Sequence, residues 1–167
     1  MPPTQPTAVS VLAVGDVFPD VPDARAAFAP LRDLFASADV VFGNCEGVYS
    51  DRPQRSPSHK HFMGAPRERG ALLGEVGFDV MTCANNHIVD GGYVGLRDTL
   101  DLLREQGIAT TGAGMDLAEA TRPAIVERNG LTIAFLGFCS VYPVGYEARP
   151  SRPGLAPLRV RTFYADP

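Results

Sequence analysis

The sequence predicts an α/β protein built on a mostly parallel sheet, and three observations predict it. Short apolar runs rich in β-branched residues recur at residues 8–14, 40–42 and 78–82. Stretches with helical spacing separate them, the alternation expected of βαβ units. Each apolar run then gives way to small and polar residues: Gly15-Asp16, Gly43-Asn44-Cys45-Glu46-Gly47, and Cys83-Ala84-Asn85-Asn86-His87.

Taken in order, residues 8–14 read as a buried strand ending in a loop. Residues 23–36 place Ala26, Phe28, Leu31, Leu34 and Phe35 at near-helical spacing, with Pro30 kinking or dividing the helix. Residues 40–42 form the second strand, and the polar, proline-punctuated residues 49–61 an exposed loop. Residues 66–75 suggest a helix that accepts Pro66 in its first turn, and residues 78–82 a third strand. Val94, Leu96, Leu100 and Leu103 mark one face of the clearest helix, which stops at Gly107. A short strand over 108–110, a Gly112-Ala113-Gly114 turn and a small helix over 117–120 follow. Asn129-Gly130 between two apolar runs is a strong hairpin signal. From Tyr142 onward the chain is rich in proline, glycine and arginine. This divides it into an incomplete α/β domain over residues 8–140 and a Pro/Arg-rich connection over 141–167.

The bulk chemistry narrows the function classes. Of 167 residues, 45% are hydrophobic and 20% charged, with a formal net charge of −4, so the basic stripe of a nucleic-acid binder is missing. No apolar run approaches the ~18 residues needed to span a bilayer, and the N-terminus lacks a positively charged leader. The three cysteines form no CxxC pair and read as reduced thiols, so a cytoplasmic location is expected.

Ligands of open α/β sheets bind beyond the carboxyl ends of the strands, where all three polar clusters fall. Asp16, Asn44, Glu46, Asn86 and His87 together offer carboxylate, amide and imidazole donors, a mixture suited to hard or borderline divalent metals. Each also has a bland reading: Asp16 a turn former, Glu46 a solvated carboxylate, Asn85-Asn86-His87 a hydrogen-bonded turn, Asp90 the cap of the following helix. His59 and His61 alternate in a polar loop beside Arg55 and Lys60. They read first as solvated side chains, and as contacts to an anionic substrate if the loop covers the strand ends. Gly112-Ala113-Gly114 before a small helix is a weak phosphate-cradle signal.

Gly15-Asp16, Gly43-Asn44-Cys45-Glu46, Gly77-Phe78-Asp79-Val80, Ala84-Asn85-Asn86-His87-Ile88-Val89-Asp90 and Gly112-Ala113-Gly114 resemble the CapA family of capsule and poly-γ-glutamate synthesis proteins. The tracts Pro123-Ala124-Ile125-Val126 and Ile133-Ala134-Phe135-Leu136-Gly137 look like that family too, and the Ala-Asn-Asn-His-x-x-Asp stretch is its most specific element. The resemblance implies a fold similar to the calcineurin-like metallophosphoesterases, an α/β/β/α sandwich of which this chain supplies the first half: βαβαβα units plus a hairpin. It further implies a divalent metal (Mn, Mg, Zn or Fe) held by Asp16, Asn44, Glu46 and Asn86, with His87 as the catalytic acid and His59 and His61 toward the substrate. The implied partners are an anionic polymer or a phosphorylated small substrate, together with a missing C-terminal half or another chain.

Two departures bear on that expectation. Phe18 stands where the phosphoesterases place a metal-binding histidine, and Asn44 where they place a bridging aspartate. One metal is therefore expected rather than two, and a non-catalytic role in binding an anionic polymer stands beside the hydrolase reading.

Overall fold

The computed structural model describes residues 8–55 and 61–161. In chain order the elements are β1 (Val11–Val17), α1 (Ala24–Phe28), a 3-10 turn (Ala29–Leu31), α2 (Arg32–Ala36), β2 (Val40–Cys45), β3 (Val48–Tyr49), β4 (Gly64–Ala65), α3 (Arg67–Val76), β5 (Val80–Thr82), α4 (Gly92–Glu105), β6 (Ala109–Thr111), β7 (Ala113–Gly114), α5 (Leu117–Ala120), β8 (Ala124–Arg128), β9 (Leu131–Phe135) and β10 (Gly154–Leu155). The central sheet has the order β1-β2-β5-β6, and all its pairings are parallel. All four carboxyl ends therefore lie on one edge.

Period-two burial along the strands sets the layers. Val41, Cys45, Met81 and Cys83 point to one face. There they pack with Phe35 of α2, Leu73 and Val76 of α3, and Leu96, Leu100 and Leu103 of α4. Leu96 and Leu103 are fully buried, and each such side chain contributes about 1.5–3 kcal/mol. Val40, Phe42 and Val80 point the other way, against Ala124, Val126, Ile133 and Phe135 of the β8–β9 hairpin. The rings of Phe42 and Phe135 stack there, with centroids 5.3 Å apart. Helices thus cover one face of the parallel sheet and an antiparallel hairpin covers the other.

The local signals of the sequence act as expected at several points. Pro30 lies in the 3-10 turn that divides α1 from α2. Asn129 (φ 52°) and Gly130 (φ 78°) both occupy the left-handed region, the backbone of a tight hairpin turn. The differences have physical causes. The first strand runs three residues later than its apolar run suggests, because Asp16 and Val17 continue the ladder with β2. The two-residue ladders β3–β4 and β7–β10 carry no legible pattern of their own. Gly112-Ala113-Gly114 serves pairing rather than an open cradle: β7 bonds β10, and a Cβ on Gly114 would meet the Ala120 nitrogen at 2.5 Å. The proline-rich segment folds back onto the domain: Tyr146 and Leu155 join the main core, and Ala148 and Ala156 pack with Ala120 of α5. No helix of the described residues is long and apolar enough to cross a membrane.

Candidate functional site

The site begins with a defect in a ladder. β1 and β2 keep regular register from Val11↔Val40 to Ala13↔Phe42, then shift so that Asp16 faces Asn44 and Val17 faces Cys45. One extra residue on β1 is a β-bulge. A one-residue slip moves a side chain to the opposite face, so the bulge brings Asp16 onto the side of Asn44, while Val17 stays with Cys45 in the helix-side core. Just beyond β2, Gly47 takes φ 100°. A Cβ there would meet the Phe18 ring at 2.8 Å and the Met63 carbonyl at 2.9 Å. The chain turns sharply at that point, directly after Glu46.

The third cluster forms the turn between β5 and α4. Asn85 is buried there and orders the others. Its Oδ1 accepts the His87 backbone N–H at 3.1 Å, so its amide group must point the other way. That group donates to the Cys45 carbonyl (2.8 Å) and to Asn44 Oδ1 (3.0 Å). Asn44 is oriented in turn: its Nδ2 donates to Asp16 Oδ1 (2.8 Å) and to Glu46 Oε2 (2.7 Å). Two carboxylates on neighbouring strands therefore converge on one amide nitrogen.

His87 lies beside them, its Nε2 3.9 Å from Glu46 Oε1. Its Nδ1 is 2.8 Å from Asp90 Oδ2, and the Asp90 side chain is completely buried. Asp90 also accepts the Met63 N–H (3.0 Å) and the Tyr146 hydroxyl (3.1 Å). It is not the cap of α4, because Gly91 holds that position without a side-chain bond.

The electrostatics follow from this crowding. Burial, and next the charge of Asp16, push the Glu46 carboxyl above its ordinary range, against the opposing effects of His87 and the Asn44 bond. A cation between the two carboxylates would relieve that repulsion, so the pair fits a hard divalent ion in its donor chemistry. Asn44 presents its nitrogen to the pair while its oxygen is taken by Asn85. Asn86 is half-buried, and its side chain makes no hydrogen bond to a described residue. Among the described residues, no three His, Cys, Asp or Glu side chains form a metal cage by themselves. Phe18, at the expected histidine position, instead packs its ring 5.8 Å from that of Tyr49.

The structure thus brings together Asp16, Asn44, Glu46 and His87, with Asn86 in the same turn. His61 is exposed and has no hydrogen bond to this cluster, and His59 lies outside the described residues. Sequence reasoning missed three participants. Asn85 was legible only as part of a turn. Asp90 follows His87 by three residues, a spacing that could have suggested a pair. Tyr146 arrives from 56 positions beyond Asp90 and gives no local signal.

Residues 10–165 match the family described as "Bacterial capsule synthesis protein PGA_cap". The chain is 32% identical over 139 residues to the "PGA biosynthesis protein CapA" of Bacillus subtilis (strain 168), a match covering 81% of this chain and 36% of that protein. It is 30% identical over 130 residues to the "Capsule biosynthesis protein CapA" of Bacillus anthracis, covering 76% and 32% respectively. A "Probable polyglutamine synthesis accessory protein" of Mycobacterium tuberculosis (strain ATCC 25618 / H37Rv) shares 42% identity over 84 residues, or 48% of this chain and 22% of that protein. The chain spans about a third of the length of the two Bacillus relatives.

Proposed function

The chain belongs to the bacterial capsule synthesis (PGA_cap) family, and from that premise we propose that it serves in making a capsule or poly-γ-glutamate polymer. In this reading its strand-end cluster is a one-metal hydrolytic site for a phosphoester or related anionic bond. The observation that carries it is the convergence of Asp16 and Glu46 on one amide nitrogen, beside the Nε2 of His87. The layering of helices, parallel sheet and hairpin supports placing the chain as the first half of an α/β/β/α sandwich of the metallophosphoesterase type. The names of the relatives support the role in polymer synthesis.

Asp16 and Glu46 would hold the metal, with the Asn86 amide as a further oxygen donor. Such an ion, when bound, polarises the scissile group and lowers the pKa of a water. Asn44 keeps the two carboxylates at a fixed separation through its shared N–H groups, and Asn85 keeps Asn44 from turning. His87 Nε2 would take a proton from the attacking water and pass it on to the leaving oxygen. The Glu46 carboxyl, pushed up by burial and by Asp16, gains most from positive charge beside it.

A second reading rests on the lack of a complete cage of acidic, histidine or cysteine ligands among the described residues. In it the same cluster binds an anionic polymer without hydrolysing it. Elemental analysis of the purified chain beside an Asp16→Ala, His87→Ala double variant separates the two. About one Mn, Mg, Zn or Fe per chain, lost in the variant, supports the metal site and justifies phosphoester assays. Metal at background in both proteins overturns the hydrolase reading in favour of polymer binding.

A further inference from the structure

We infer that Asp90 and Tyr146 are positioning residues that lock His87 in the Nδ1–H tautomer, so that Nε2 is the nitrogen that exchanges protons at the site. The role of that nitrogen rests on the hydrolase reading above; the tautomer itself does not.

The assignment follows from donor and acceptor bookkeeping. A neutral imidazole carries one N–H and one lone-pair nitrogen, and its neighbours decide which is which. Asp90 Oδ2 receives the backbone N–H of Met63, a group that can only donate. Its Oδ1 receives the Tyr146 hydroxyl. Burial, and next the charge of Asp90, push the Tyr146 phenol upward, so it remains a donor. Both Asp90 oxygens thus take hydrogen bonds from these donors, the pattern of a carboxylate, which accepts and never donates. Its contact with His87 Nδ1 at 2.8 Å therefore requires the proton on Nδ1. The other nitrogen is left to face Glu46.

The arrangement is rigid because, among the described residues, three separate segments meet at one fully buried carboxylate. His87 and Asp90 belong to the turn before α4, Met63 stands just ahead of β4, and Tyr146 comes from the proline-rich segment. Tyr146 is itself buried in the main core cluster, so its hydroxyl is delivered to Asp90 by packing. The proline-rich segment is in this way tied to the reacting imidazole, two bonds away from it. Fixing a catalytic group through the partners of its other ring nitrogen is a general means of presenting one tautomer.

Two-bond proton–nitrogen NMR correlation of the histidine rings reads the tautomer directly, without metal or substrate. It is recorded on the chain at about pH 8.5, above the usual imidazole range, with His87 assigned by comparison with His87→Gln. The expected result is a protonated Nδ1 and an unprotonated Nε2 in the wild type, with a slowly exchanging Nδ1 proton. Asp90→Ala should give a mixture of tautomers. Asp90→Asn should keep the wild-type tautomer, because its amide oxygen can take the Oδ2 place while its NH₂ faces the Tyr146 oxygen. Tyr146→Phe should keep Nδ1 protonated but speed exchange of that proton at least several-fold. A wild-type His87 protonated on Nε2 overturns the proposal, and that measurement needs no variant to fold. Unchanged proton exchange in a folded Tyr146→Phe protein overturns the role of Tyr146. If the tautomer is as expected and phosphoester hydrolysis is absent, the hydrolase reading fails while the positioning stands.

Discussion

Replacing Asn85 with alanine removes three hydrogen bonds at once from a residue that is 4% exposed. The lost bonds are the donations to the Cys45 carbonyl at 2.8 Å and to Asn44 Oδ1 at 3.0 Å, and the acceptance from the His87 N–H at 3.1 Å. Each bond contributes about 1 kcal/mol net, and a buried partner left unpaired costs about 1–3 kcal/mol. Water entering from the strand-end surface offsets part of this, so the expected loss is about 3 kcal/mol. For a chain of this length that corresponds to a fall in Tm of roughly 6–12 °C. The matched control is Asn86→Ala, one residue along in the same turn, whose side chain bonds to no described residue. It should cost no more than about 0.5 kcal/mol, yet reduce the bound metal. Urea unfolding followed by circular dichroism, at one protein concentration for all three proteins, measures the difference. An Asn85→Ala protein within about 1 kcal/mol of wild type would refute the reasoning, as would equal losses at the two positions.

Three further outcomes are expected. Glu46 has a folded-state pKa raised by burial and by Asp16, so its stabilising contribution is present at acid pH and is lost as pH rises through its folded value; Glu46→Gln should therefore raise the neutral-pH Tm of metal-free protein and abolish any Tm increase on adding Mn²⁺, and a lower Tm would count against the crowded pair. Glu147 behaves in the opposite sense: burial alone would raise its carboxyl, but bonds from Arg149, the Gly145 backbone and Arg152 outweigh this and bring it down to about 2. Its contribution is present above the ordinary carboxylate range and fades as pH falls toward 2, so Glu147→Gln should flatten the acid limb of a stability–pH curve, and an unaltered limb would contradict the assignment. Finally, Leu136 (61% exposed) and Phe138 (45%) present apolar surface beyond the hairpin; the 167-residue chain should self-associate at tens of micromolar, with Leu136→Asp, Phe138→Asp shifting it to monomer, and a monomeric wild type in sedimentation velocity would overturn this.

How much of the site was legible depends on the reach of each interaction. The polar clusters after three apolar runs announced a shared strand-end edge because a parallel sheet places every carboxyl end on one side, a rule that needs no side-chain coordinates. Residues 117–120 and the Asn129-Gly130 turn were legible for a similar reason, since caps and turns are settled within a few residues. The roles of Asn44 and Asn86 could not be separated in the same way. Both are amides at strand ends, and only the orientation imposed by Asn85 turns the Asn44 oxygen away from the carboxylates.

Read without coordinates, the chain already fixed the α/β alternation, the edge on which the polar residues gather and the residue types available there. These follow from hydrophobic period, turn chemistry and the handful of polar residues that interrupt apolar runs. Three things came only with the three-dimensional fold: the bulge that brings Asp16 across to Asn44, the joining of Asp90 to both Met63 and Tyr146, and the return of the proline-rich segment onto the core. Each depends on register or on contacts between distant segments, and the free energy of such contacts comes from packing that no local window of residues contains.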